Sequence, residues 1–170
     1  SGNSDCHDKY FTERFGLSLL YFSAPLSGNG RSWISSNPTC LWSATRCKDL
    51  APTELDLNQL ELYGSIPKFI YFLQSFSRLD FGNNQFTGSI PSEFGWLTTL
   101  EQLELYSNHL SGSIPSEVGL MAGIQYLDLS NNNLINSIPP EMGSMPQLTG
   151  LYLDENELSG SIPSEIGSLT

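Results

Sequence analysis

Apolar residues recur with a fixed period of 24 residues from residue 52 to the end of this chain. Leucine occupies Leu55, Leu79, Leu103, Leu127 and Leu151, isoleucine occupies Ile66, Ile90, Ile114, Ile138 and Ile162, and proline occupies Pro67, Pro91, Pro115, Pro139 and Pro163. Around Leu103 and Leu105 apolar and polar residues alternate, which predicts a short strand with its leucines pointing inward. A period of this length predicts a solenoid in which each repeat packs only on its neighbours.

The polar positions of the repeat predict its turns. Asparagine follows each strand at Asn84, Asn108, Asn132 and Asn156, where a buried amide can satisfy backbone groups of neighbouring turns. Gly112 falls where the backbone is expected to have a positive φ, and Asn136, which replaces glycine in the next repeat, tolerates that conformation well. After Pro115, the pair Ser116 and Glu117 predicts a short helical turn on the outer side.

The pattern divides the chain into an N-terminal cap and an array. The cap spans residues 1–51, and the five repeats span residues 52–75, 76–99, 100–123, 124–147 and 148–170. Within the cap, residues 5–24 have apolar groups at helical spacing and predict one amphipathic helix. The last repeat lacks a C-terminal cap, which predicts either a fragment of a longer array or end-to-end self-association through residues 148–170.

The cysteines fall within the cap. Cys40 and Cys47 are separated by six residues, and Cys6 is the third cysteine. In an exported protein a Cys40–Cys47 disulfide is the more economical interpretation, and we favour it. The alternative is a zinc site completed by Cys6 and His7. We therefore expect no metal and no cofactor.

The cap and repeats together resemble a known family. A helix, then Trp33, then Cys40-Leu-Trp42-Ser-Ala-Thr-Arg-Cys47, then repeats with leucines at positions 1, 4, 6 and 11 and the segment Gly112-Ser-Ile-Pro115, resemble the plant-specific class of extracellular leucine-rich repeat proteins. That class includes receptor-kinase ectodomains and polygalacturonase-inhibiting proteins. The segments Leu20-Tyr21-Phe22-Ser23 and Gly30-Arg-Ser-Trp33 are also similar to caps in algal and protist leucine-rich repeat proteins.

This resemblance implies an α/β solenoid. It would be a right-handed superhelix of about five repeats of 24 residues with a helical, disulfide-stapled N-terminal cap. The chain departs from the family pattern at Ala44, where the plant cap has glycine, and at Leu60, which replaces the first asparagine of the ladder. These departures concern the local geometry of the first repeat.

Charge narrows the possible partners. The chain has a formal net charge of −11, and from residue 52 onward fourteen acidic residues accompany only Lys68 and Arg78. Such an array repels nucleic-acid phosphates and anionic lipid surfaces, so we expect neither as a partner. His7 and His109 share no cluster with a serine or cysteine nucleophile, and no glycine-rich phosphate loop occurs. The chain is therefore not expected to be an enzyme.

The outward strand positions form columns one repeat apart, and they are the predicted ligand-binding residues. These residues are Glu54, Asp56, Arg78, Asp80, Gln102, Glu104, Tyr106, Tyr126, Asp128, Tyr152 and Asp154. A basic peptide, or a saccharide stacked on the tyrosines, suits such a surface. Two alternatives remain open: the acids keep the sheet soluble, or their oxygens bind calcium.

The sequence thus predicts an extracellular recognition module, either secreted or the ectodomain of a membrane protein. It would bind a protein, a peptide or a cell-wall saccharide through the inner sheet face. One alternative is an inhibitor of a secreted cell-wall hydrolase. Another is an ice-binding or wall-structural protein, because hydroxyls also recur each repeat at Ser65, Ser89, Ser113, Ser137 and Ser161.

Overall fold

The computed structural model describes residues 45–48 and 51–168. The predicted cap helix over residues 5–24 and Cys40 of the predicted disulfide lie outside these residues. The part of the cap that is described is strand β1 (Thr45–Lys48), which pairs antiparallel with β2 (Ala51–Asp56). The sequence pattern did not predict β1, because it lies before the first repeat and has no copy elsewhere in the chain.

The alternating segments of the repeats form one parallel sheet, named here the inner sheet. Next to β1 and β2, its strands are β4 (Arg78–Asp80), β6 (Gln102–Glu104), β8 (Tyr126–Asp128) and β10 (Gly150–Tyr152), in the order β1-β2-β4-β6-β8-β10. From β2 to β10 each residue pairs with the residue one 24-residue period further along. The strand and columns predicted from the repeat period are therefore confirmed.

A second parallel sheet, which the sequence pattern does not predict, lies further along each repeat. Its strands are β3 (Tyr63–Ser65), β5 (Gln85–Gly88), β7 (His109–Gly112), β9 (Asn133–Asn136) and β11 (Glu157–Leu158). Gly112 has a φ of 79° and Asn136 a φ of 67°, so the positive φ predicted at these two positions is confirmed, and Gly88 has the same conformation as Gly112. The sequence pattern predicts only a turn here, because apolar and polar residues alternate over too few positions to indicate a strand.

The outer side of the array consists of short 3₁₀ helices. They span Lys68–Phe72, Ser92–Trp96, Ser116–Leu120, Pro140–Ser144 and Ser164–Ser168. Four of them follow a proline in extended conformation, and their backbone bonds connect residues three apart, as in Val118 N–H to the Pro115 carbonyl at 3.1 Å. Each of these helices is only five residues long, a length at which the tighter 3₁₀ turn is common. No helix among the described residues is long and apolar enough to cross a membrane.

The leucines and isoleucines of the first three repeats fill a continuous core between the sheets and the helices, whereas Ile162 of the last repeat is exposed. Leu79, Leu103 and Leu127 are almost completely buried, and Phe81 and Phe86 add a tilted ring pair with centroids 5.9 Å apart. Towards the last repeat burial decreases, and Leu151, Leu153 and Leu158 are half-buried.

The asparagine ladder ties neighbouring repeats together. Asn108 accepts a hydrogen bond from Phe86 N–H at 2.9 Å and donates to the carbonyls of Phe81 and Leu105 at 3.0 and 3.1 Å. Equivalent bonds connect each ladder residue with the preceding repeat, through Asn84, Asn132 and Asn156. Each of these amides therefore joins backbone groups of two neighbouring repeats.

A candidate recognition surface on the inner sheet

The outward face of the inner sheet carries three columns of side chains. The acidic column is Asp56, Asp80, Glu104, Asp128 and Tyr152, and the mixed column is Glu54, Arg78, Gln102, Tyr126 and Gly150. The third column follows the strands and contains Asn58, Gly82, Tyr106, Ser130 and Asp154. The structure therefore brings the predicted binding residues together on one face, with successive strands about 4.8 Å apart.

Arg78 joins two carboxylates of the acidic column. Its Nη2 lies 2.9 Å from Asp80 Oδ2 and 2.7 Å from Glu104 Oε1. Asp80 is only 4 % exposed, and its Oδ1 accepts hydrogen bonds from Gly82 N–H at 2.9 Å and from the Asn58 amide at 3.1 Å. One guanidinium thus offsets the repulsion that adjacent carboxylates would otherwise exert.

Tyr106, in the third repeat, joins this network to asparagines of the first and second repeats. Its hydroxyl accepts hydrogen bonds from the side-chain amides of Asn58 at 2.7 Å and Asn83 at 3.1 Å. The ring lies directly on Gly82, where a Cβ atom would overlap it. Because it accepts these two hydrogen bonds, the Tyr106 hydroxyl is engaged within the protein. We name this network of Arg78, Asp80, Glu104, Tyr106, Asn58 and Asn83 the polar cluster.

Tyr126 and Tyr152 form a second, more exposed group. Their ring centroids are 5.1 Å apart with an interplanar angle of 40°, and Tyr152 is 45 % exposed. Gly150 lies beneath Tyr126, because a Cβ there would approach Tyr126 Cδ2 to 2.9 Å. Since residue 150 has no side chain, the Tyr126 ring can lie against the backbone of the next strand. We name Tyr126 and Tyr152 the tyrosine pair.

Burial and charge perturb the pKa values of this surface. Burial raises the pKa of Glu104 above its ordinary value, and the hydrogen bond from Arg78 opposes this effect without cancelling it. Burial also acts to lower the pKa of Arg78, but the hydrogen bond to Glu104 and the nearby carboxylates outweigh it and raise that pKa. Burial, followed by the charge of Asp128, raises the pKa of Tyr126 to about 12. A negative field therefore surrounds the Tyr126 hydroxyl.

Several residues of this surface were not among the predicted ones. Asn58 and Asn83 are the amide donors of the polar cluster, and Ser130 donates its hydroxyl to Asp128 Oδ1 at 2.6 Å. Gly82 and Gly150 provide the open backbone on which tyrosine rings lie. Glycine at an outward position of a column is the one sequence signal that could have indicated where these rings pack.

Metal binding has no supporting geometry in residues 45–48 and 51–168. In this part of the chain no group of three or more His, Cys, Asp and Glu side chains is arranged to hold a metal ion. The carboxylates of Asp80, Glu104 and Asp128 instead contact Arg78, Gln102 or Ser130. The calcium alternative therefore gains no support from the acidic column.

Comparison with known families agrees with this architecture. The family profile described as Leucine Rich Repeat matches residues 75–97, 99–121, 123–145 and 147–169. These segments make up more than half of the chain, so the chain belongs to the leucine-rich repeat family. A search of curated protein sequences finds no match.

Solved structures with this fold include plant proteins. A chain of the BIR3–SERK2 complex from Arabidopsis thaliana is 34 % identical with a TM-score of 0.84, over 91 % of this chain and 87 % of that one. The Arabidopsis receptor kinase HAESA, solved with the peptide hormone IDA and the co-receptor SERK1, is 28 % identical with a TM-score of 0.86, over 93 % and 28 %. A plant ice-binding protein is 30 % identical with a TM-score of 0.86, over 93 % and 52 %. The chain therefore spans only part of the last two structures.

Proposed function

We propose that this protein is an extracellular recognition module that binds a protein or peptide through the outward face of the inner sheet. The single observation that carries this proposal is the combination of an exposed tyrosine pair and uncompensated carboxylates on one face of an ordered sheet. Aromatic residues at partly desolvated positions dominate the energetics of protein interfaces. The similarity to structures of complexes with a peptide hormone and with co-receptors supports the same class of ligand.

The charge of the surface favours a ligand with net positive charge. Asp128 and Asp154 form no ion pair with the residues whose side chains the structure describes, and the Arg78 guanidinium already contacts Asp80 and Glu104. Complementary charge accelerates association and discriminates against acidic partners. A cell-wall saccharide stacked on the tyrosine pair, or a secreted hydrolase that the module inhibits, are alternative ligands of the same face.

An unbiased peptide-display selection against the intact chain tests this proposal. We expect the recovered peptides to lose at least about tenfold in affinity when Tyr126→Ala and Asp128→Ala are combined, because hot-spot residues each contribute about 2 kcal/mol or more. The matched control combines Gln85→Ala and His109→Ala, two exposed positions on the second sheet. Recovered peptides that bind the first variant as tightly as the wild type would contradict the proposal.

Ice binding is the second candidate, and the second sheet side supports it. Exposed hydroxyls recur there once in each repeat, at Ser65, Ser89, Ser113, Ser137 and Ser161. The fold is also similar to that of a plant ice-binding protein. However, Tyr63 and Ile135 interrupt the neighbouring row with large apolar side chains. Thermal-hysteresis measurement decides this question, and an absence of hysteresis would eliminate the candidate.

A further inference from the structure

We propose that the tyrosine pair, together with Asp128 and Asp154, is a seat for one cationic side chain of the ligand, the guanidinium of an arginine or the ammonium of a lysine. This inference rests on the proposed function and specifies the chemistry of the anchoring contact. It also divides the inner sheet face into two parts. The polar cluster is satisfied internally, whereas the tyrosine pair presents exposed aromatic surface.

The polar cluster has few groups left for a ligand. Arg78 Nη2 contacts both Asp80 and Glu104, and Asp80 accepts two further hydrogen bonds. The Tyr106 hydroxyl accepts hydrogen bonds from two asparagine amides. A ligand that displaced these contacts would leave buried polar groups unpaired, which carries a free-energy cost. The polar cluster therefore keeps its internal contacts and forms a preformed border of the proposed cation site.

The tyrosine pair offers aromatic surface that remains open. The two rings are tilted by 40° at a centroid separation of 5.1 Å, and Tyr152 remains 45 % exposed. Because residue 150 is glycine, the Tyr126 ring lies over that position, and the exposed surface of the pair is contributed mainly by Tyr152. A cation within about 6 Å of a tyrosine ring is attracted by the negative face of its π system.

Two carboxylates flank the pair. Asp128 lies directly opposite Tyr152 in the register of β8 and β10, and Asp154 follows Tyr152 where the backbone still pairs with the preceding repeat through Asn131. Asp128 Oδ1 accepts hydrogen bonds from Ser130, whereas no described residue donates to its Oδ2 or to the Asp154 carboxylate. Carboxylate oxygens beside aromatic rings complement a guanidinium, which donates hydrogen bonds at its edge and stacks with its face.

The charge of this seat distinguishes a cation from a neutral sugar. Both ligands can stack on tyrosine, but only a cation gains from the negative field that Asp128 and Glu104 create around Tyr126. After burial, which is the larger cause, these negative charges also raise the pKa of the Tyr126 hydroxyl. The nearest described guanidinium, that of Arg78, is already held by two carboxylates. The seat therefore lacks a cation from this part of the chain.

A pair of isosteric probes tests the inference. The probes are acetyl-Gly-Arg-Gly-amide and the same peptide with citrulline, which keeps the shape of arginine and lacks its charge. We expect NMR titration of the intact chain to shift the ring signals of Tyr126 and Tyr152, with the arginine probe binding on the order of fivefold more tightly than the citrulline probe. Equal affinities, or shifts confined to other residues, would overturn the inference.

Matched variants locate the effect. Tyr152→Leu removes an exposed ring and is expected to abolish the preference for arginine, and Asp154→Asn is expected to weaken it. Tyr63→Leu removes a similarly exposed ring on the second sheet and is expected to change nothing. A preference that survives Tyr152→Leu would refute the seat. Display peptides that bind this face without arginine or lysine would refute only the seat and leave the proposed function standing.

Discussion

Arg78 Nη2 lies 2.7 Å from Glu104 Oε1, an ion pair that crosses from the second repeat to the third. Asp80, at 2.9 Å from the same nitrogen, is almost completely buried. Replacing Arg78 by methionine would leave two carboxylates side by side without their cation. Since Arg78 itself is partly exposed, we expect a loss of about 1–3 kcal/mol in the free energy of unfolding, below the cost of breaking a fully buried pair.

Urea unfolding followed by circular dichroism measures this loss. The matched control is Lys68→Met, which removes a 3.7 Å contact with Glu93 from a lysine whose side chain is 82 % exposed. That change is expected to alter stability by no more than about 0.5 kcal/mol. Equal effects of the two substitutions would show that the polar cluster does not stabilise the array.

The asparagine ladder makes a second prediction. Asn108→Ala removes the acceptor for Phe86 N–H and the donor to the Phe81 and Leu105 carbonyls, all of which are buried. Leaving these groups unpaired is expected to cost about 2–4 kcal/mol, judged from a cost of about 1–3 kcal/mol for each unsatisfied group. Asn133→Ala, an exposed position on β9, is the control and is expected to be nearly neutral in the same denaturation measurement.

Close packing of successive 3₁₀ helices makes a third prediction. A Cβ atom at Gly119 would approach the Glu141 carbonyl oxygen to 2.6 Å, whereas a Cβ at Gly167 meets nothing within 4 Å. Gly119→Ala is therefore expected to lower the free energy of unfolding by about 1–3 kcal/mol through overpacking. Gly167→Ala is the same chemical change without the collision. If both variants melt at the wild-type temperature, the contact between these helices is looser than described.

The Tyr126 phenol provides a prediction about pH. Burial and the charge of Asp128 raise its pKa to about 12, so its absorbance change at 295 nm is expected near pH 12 and not near the ordinary tyrosine value of about 10. Subtracting the titration of Tyr126→Phe isolates this group. Between these two pH values the unfolded chain ionises and the folded chain does not, so the wild type should lose stability relative to Tyr126→Phe as pH rises. A difference titration near pH 10 would contradict this result.

The columns of the inner sheet were predictable because they depend only on the 24-residue period. Spacing along the sequence is sufficient to place these residues, as the alternation at Leu103 and Leu105 and the regular position of Asn108 illustrate. The polar cluster was not predictable in this way, because Arg78 reaches sideways to a carboxylate of the next repeat and Tyr106 reaches back to Asn58. Such contacts depend on side-chain conformations, which the spacing of residues does not specify.

The same reasoning explains the second sheet. Its strands share the sequence positions of a predicted turn at Gly112 and Asn136, where positive φ was expected and is found. Whether a short segment beside such a residue forms a strand depends on backbone hydrogen bonds to the preceding repeat. Those bonds join neighbouring repeats, so they depend on the tertiary structure.

Hydrogen–deuterium exchange of the intact chain with and without a peptide recovered by display tests the central claim most directly. Backbone amides of β6, β8 and β10 border the proposed surface, and those of β7, β9 and β11 lie on the second sheet. The account predicts that saturating peptide slows exchange along β8, β10 and the following segment to Asp154, while the second sheet is unchanged. Slowed exchange confined to β7, β9 and β11 would contradict the claim that the inner sheet face is the recognition surface.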